Sequence, residues 1–197
     1  EKSCQIKRHF WCGSAAEMVE LTRRTNEIIK SIDPAAKIIA PGFVAATSRR
    51  LDRFLDAGGG RYVDVIAHHF YALHPRQMLE RVNLIKQSMV KHSCDHLELW
   101  NTESGYTLAA GTNGAIAGVS NLDHELMGAY VAQSLALAAS AGVRRYFWYA
   151  WDNAFSGMLS PDGSNPLPGG IAYIQTVNWL HGRTVKDCGK WKNDFWS

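Results

Sequence analysis

Three short clusters hold most of the side chains that could do chemistry: His68-His69-Phe70-Tyr71, Asn101-Thr102-Glu103-Ser104-Gly105-Tyr106 and Trp148-Tyr149-Ala150-Trp151-Asp152. Together they offer a carboxylate, imidazoles, phenols and indoles. Indole and phenol faces can stack on the C–H face of a sugar, while Asn, His and carboxylate groups can meet its hydroxyls. A phosphate ligand fits poorly. A nucleotide site needs a glycine-rich turn between a strand and a helix N-terminus, but Gly58-Gly59-Gly60 precedes a strand-like stretch and Pro41-Gly42-Phe43 has no phosphate-loop pattern.

The clusters follow apolar segments of strand length. Strands are expected over residues 37–40, 62–67, 96–102 and 143–148, each mostly apolar or β-branched and bounded by Pro, Gly or polar residues. Helices alternate with them. Ser14-Ala15-Ala16-Glu17 is a capping box that opens a helix ended by Asp33-Pro34. Further helices are expected over residues 48–57, from Pro75 to about Met89, over 122–140 and over 171–180, with a glycine-rich loop over 104–118. One helix followed by four strand–helix units requires a parallel sheet with helices on its faces. A doubly wound sheet and half of a (β/α)8 barrel both satisfy this rhythm, and both place the carboxyl ends of the strands at the functional face. The three clusters therefore converge on one crevice in either fold.

Leu99-Trp100-Asn101-Thr102-Glu103-Ser104-Gly105 resembles the seventh-strand nucleophile motif of clan A glycoside hydrolases, commonly T-E-x-G. Phe10-Trp11-Cys12-Gly13-Ser14 and Ile32-Asp33-Pro34-Ala35-Ala36-Lys37-Ile38-Ile39 are similar to the helix and strand that follow the acid/base motif in relatives of the family 39 β-xylosidases. Asp64-Val65-Ile66-Ala67-His68-His69-Phe70-Tyr71 is similar to the sixth strand, Trp148-Tyr149-Ala150-Trp151 to the eighth, and Ala172-Tyr173 with Trp179-Leu180-His181-Gly182 to the last barrel helix. The resemblance runs from about residue 10 to 182, in order.

It implies the α/β fold of a (β/α)8 barrel, here about four βα units corresponding to strands five to eight, within residues 1–182. Residues 183–197 would open a following β module or tail. It implies retaining hydrolysis of β-linked glycosides with Glu103 as nucleophile and His69, Tyr71, Asn101, Tyr106, Trp148 and Trp151 at the sugar, His68 lying behind. No metal or organic cofactor is implied. Such catalysis needs a second carboxyl about 5–5.5 Å from the first. The family carries it in an Asn-Glu pair on the fourth strand, upstream of the segment resembled by Phe10-Trp11, and Glu1 lacks that context. The acid/base and the first barrel half are therefore expected from outside this chain. Two other readings stay open: a non-catalytic carbohydrate-binding or scaffold fragment, and a doubly wound protein binding a small ligand.

The bulk properties fit these expectations. Of 197 residues, 46% are hydrophobic and 20% charged, as in ordinary globular domains. The net charge of +3 is spread among scattered Lys and Arg, giving no nucleic-acid footprint, and no apolar run approaches the roughly 20 residues that cross a bilayer. Cys4, Cys12, Cys94 and Cys188 lack CxxC spacing and suit either redox compartment, with their pairing open. Location has to follow from function, which points to a secreted or extracytoplasmic protein.

Overall fold

The computed structural model describes residues 11–44, 47–108, 120–153, 156–160 and 162–185. Four parallel strands, β1 (Phe43–Val44), β2 (Val65–His69), β3 (Glu98–Ser104) and β6 (Arg145–Trp148), form one sheet in that spatial order. Chain order and spatial order agree. A doubly wound sheet would reverse at a switch point, so that reading is set aside.

Helices alternate with these strands: α1 (Ala15–Ile32), α2 (Arg49–Asp56), α3 (Pro75–Lys91), α4 (His124–Ser140) and α5 (Pro168–Leu180). The capping box of α1 forms as expected, Glu17 N–H donating to Ser14 Oγ at 3.2 Å and Ser14 N–H to Glu17 Oε2 at 2.7 Å. Pro75 takes the first helical position of α3, where its missing N–H costs nothing. The main core lies between sheet and helices, where Ile66 and Phe70 meet Phe54, Met78, Val82 and Ile85. Side chains of this size stabilise by about 1.5–3 kcal/mol each when fully buried.

Several boundaries differ from expectation for local reasons. Residues 37–40 contribute only an isolated parallel bridge, Ile39 to Val65, and the ladder resumes at Phe43 and Val44, which face His68 and His69. Pro41 between them lacks the N–H a ladder needs. The stretch expected to begin a strand at 62 instead finishes a 3-10 turn, Gly59–Tyr62, and β2 runs two residues further than expected, so that His68 and His69 lie within it. Leu122 ends a short strand, β5 (Ser120–Leu122), which pairs in parallel with β4 (Tyr106–Leu108) instead of opening α4. The last helix starts at Pro168 and not at 171. Most of the expected glycine-rich loop, and the tail from residue 186, lie outside the described residues.

Candidate active site

Register brings the expected residues together at the carboxyl end of the sheet. His68 faces Asn101 across the β2–β3 ladder, so the next residues of each strand emerge side by side. The Tyr71 hydroxyl donates to Glu103 Oε1 at 2.8 Å, and His69 Nδ1 lies 3.6 Å from the same oxygen. The Glu103 side chain is 37% exposed, whereas that of His69 is largely covered.

Two glycines make this approach possible by having no Cβ. A Cβ on Gly42 would sit 2.7 Å from His69 Nε2, so the Pro41-Gly42 turn passes directly against the imidazole. One on Gly105 would run into the carbonyl oxygen of Tyr149. The glycine two residues after Glu103 is thus where the end of β6 crosses β3.

Burial sets the electrostatics. Tyr71 is pushed well above the usual phenol range, first by desolvation and then by its hydrogen bond to the Glu103 carboxylate, which favours the neutral phenol. It is a standing donor to that carboxylate. Desolvation lowers the His69 imidazole, opposed by the nearby Glu103 charge. His68, stacked on Phe70 at 4.6 Å between ring centroids, is lowered to about 4, chiefly by burial and then by repulsion from His69. Both of its ring nitrogens lack hydrogen-bond partners among the described residues. It is a neutral member of the helix-side packing.

The remaining expected residues are placed differently. Trp148 stacks on Tyr146 (5.7 Å, 19°) and meets Tyr106 and Tyr130 edge-on, at 5.5 and 6.2 Å. Tyr106, expected at the sugar, packs in the core. It is 1% exposed, belongs to a second apolar cluster with Met127, Val131 and Leu135, and its hydroxyl packs against Gly169. Its position on β4, instead of in a loop, turns it under α4. Asn101 is 0% exposed and held between the strand ends. Trp151 stays half-exposed, edge-on to Tyr173 of α5 at 6.3 Å.

Tyr149, half-exposed and close enough to Tyr71 to add to its upward shift, joins the site rim unforeseen. Ser104, whose hydroxyl lies 2.9 Å from that of the partly buried Tyr146, also went unforeseen. Among the described residues, no group of three or more His, Cys, Asp or Glu could hold a metal ion.

No family model matches the sequence, and no curated protein matches it significantly. Solved structures do match. A GH39 β-xylosidase from Caulobacter crescentus superposes with a TM-score of 0.61 at 20% identity, over 85% of this chain and 38% of that one. A glucosidase from Croceicoccus marinus gives 0.66 at 15% identity, over 84% and 36%. An α-L-arabinofuranosidase from Thermotoga maritima gives 0.62 at 19% identity, also over 84% and 36%. The chain spans under two fifths of the length of each. At these identities the likeness is one of fold, and with the sequential order of four parallel strands it makes this chain part of a (β/α)8 barrel of the kind glycoside hydrolases carry.

Proposed function

We propose that this chain is the nucleophile-bearing half of a retaining hydrolase of β-linked glycosides. The observation that carries the reading is the Glu103 carboxylate at the carboxyl end of the sheet, gripped by the Tyr71 hydroxyl at 2.8 Å with His69 beside it. Barrel enzymes place their catalytic groups at this face.

One Glu103 oxygen attacks the anomeric carbon from the side opposite the departing oxygen, forming a glycosyl ester as the glycosidic bond breaks. An acid from another segment protonates the departing oxygen. The same group then takes a proton from water, whose oxygen displaces Glu103 and restores the original configuration. Tyr71 keeps one carboxylate oxygen hydrogen-bonded, leaving the other to attack. Tyr149 and Trp151, both half-exposed, would offer aromatic faces to the sugar, with the partly covered Trp148 backing them.

The acid/base and the first strands would come from the rest of a longer protein. Support lies at the two ends of the helical layer, where Ile32 of α1 is 80% exposed and Trp179 of α5 is 65% exposed, each on a helix with further uncovered apolar residues. Patches of this kind mark surfaces that another structural unit covers. A secreted or extracytoplasmic location is supported by Cys12, which is disulfide-bonded, since such bonds persist in oxidising compartments. No helix among the described residues is long and apolar enough to cross a membrane.

The test uses the complete protein that contains this chain, with aryl β-glycosides as substrates. Proton NMR of the first product should show the β anomer. Glu103→Ala should lose activity and regain part of it, with inverted product, when azide is supplied. An α anomer from the unmodified enzyme would remove Glu103 from the nucleophile role. Carbohydrate binding without hydrolysis by the complete protein would favour the non-catalytic reading.

A further inference from the structure

The end of β3 is not a regular strand. Asn101 faces Tyr146 and Ser104 faces Trp148, so three steps along β3 match two along β6. The additional residue falls at Thr102–Glu103. A bulge of this kind leaves peptide groups unpaired, bends the strand and re-aims a side chain. Here the re-aimed region carries Glu103.

At the bulge one side chain meets two backbone carbonyls, one on β2 and one within the bulge itself. The carbonyl oxygens of His68 and Glu103 lie 3.2 and 3.0 Å from the Asn101 amide, and both can only accept, so they call for its nitrogen, two closer contacts outweighing the 3.4 Å one that the opposite orientation would accept from the Phe70 N–H. Its oxygen then accepts from Ser104 Oγ at 2.5 Å. Ser104 in turn is hydrogen-bonded to the Tyr146 hydroxyl, which sits beside Met78 Sδ at 3.8 Å. A single amide thus ties the end of β2, the bulge of β3 and, through Ser104, Tyr146 of β6. Asn101 is 0% exposed, Ser104 is buried, and burial pushes Tyr146 up to about 12. In such surroundings a carbonyl left without a donor is costly, so the amide holds the bulge in one conformation.

We infer that Asn101 is a positioning residue for Glu103. It acts through the backbone of the bulge, fixing where the carboxylate meets Tyr71 and His69, and does not touch the sugar. The inference rests on the reading of Glu103 as nucleophile for its kinetic consequence, and on geometry alone for its structural one.

The test combines kinetics and crystallography on the complete protein. In Asn101→Ala, kcat should fall by about a hundredfold, the scale expected when a reacting group is misplaced by about 1 Å, with KM changed less than about twofold. Asn101→Asp should not rescue it, because a carboxylate offers no donor to the two carbonyls. Asn101→Ala combined with Tyr71→Phe should lose clearly less than the product of the separate losses, since both act on the same carboxylate. The crystal structure of Asn101→Ala should show Glu103 Oε1 out of hydrogen-bond reach of Tyr71. An unchanged contact, or losses that multiply, would overturn the inference. Should Asn101→Ala fail to fold, Ser104→Ala removes one arm only and should lower kcat to a smaller extent at constant KM; full activity there overturns it equally. If Glu103→Gln stays active, the nucleophile reading fails, while the crystallographic contact still decides whether Asn101 holds the bulge.

Discussion

The Tyr71 hydroxyl reaches Glu103 Oε1 across 32 positions of sequence, and the contact exists because β2 and β3 pair in parallel with His68 opposite Asn101. Strand register therefore sets the environment of the carboxylate more than any local motif does.

Tyr71→Phe keeps the ring and deletes the donor. Hydrogen bonds to charged groups contribute about 1.5–3 kcal/mol, so kcat/KM of the complete enzyme should drop by roughly 10- to 150-fold. Steady-state kinetics on an aryl glycoside checks this, and a loss below about threefold would mean that the phenol is not holding the carboxylate in the transition state.

Gly105→Ala should destabilise the fold and not only the site. The added Cβ would clash with the Tyr149 carbonyl oxygen, a backbone atom that cannot rotate away, so the end of β6 must move. Overpacking of this kind costs about 1–3 kcal/mol. With roughly 2–4 °C of Tm per kcal/mol for a domain of 150–250 residues, thermal unfolding should begin several degrees lower. A Tm within about one degree of the original would show that β6 does not press on Gly105.

His68 gives the stability a pH dependence of defined sign. Its imidazole titrates at about 4 in the folded chain against 6.5 normally, with burial the main cause. Between those values the unfolded chain binds the additional proton, so stability is full above pH 6.5 and falls as pH drops toward 4. The loss approaches about 3 kcal/mol at the lower end. Urea midpoints at pH 7 and pH 4.5 should differ by less in His68→Phe than in the original. Equal differences would place the pH dependence elsewhere.

Much of the frame was legible in the sequence, because periodicity and caps are local. Ser14 with Glu17 and the apolar face of α3 follow directly from residue spacing, and the sequential sheet agrees with the barrel the resemblance implied. What escaped was non-local. Asn101 and Tyr106 carry the residue types of a sugar site, yet one is consumed by backbone carbonyls at a bulge and the other turns under α4. Neither the register slip at Thr102–Glu103 nor the pairing of β4 with β5 has a signature in residue type. The displacement of β1 was readable in principle, since Pro41 cannot donate to a ladder.

The most direct measurement traps the intermediate. The complete enzyme should be treated with an activated 2-deoxy-2-fluoro β-glycoside, which slows both steps but leaves the departure of a good leaving group possible, then digested and sequenced by mass spectrometry. A fluoroglycosyl adduct on the peptide 98–106, carried by Glu103, is expected, with one equivalent of leaving group released per enzyme molecule. An adduct on any other residue, or steady hydrolysis with inversion and no adduct, would contradict it.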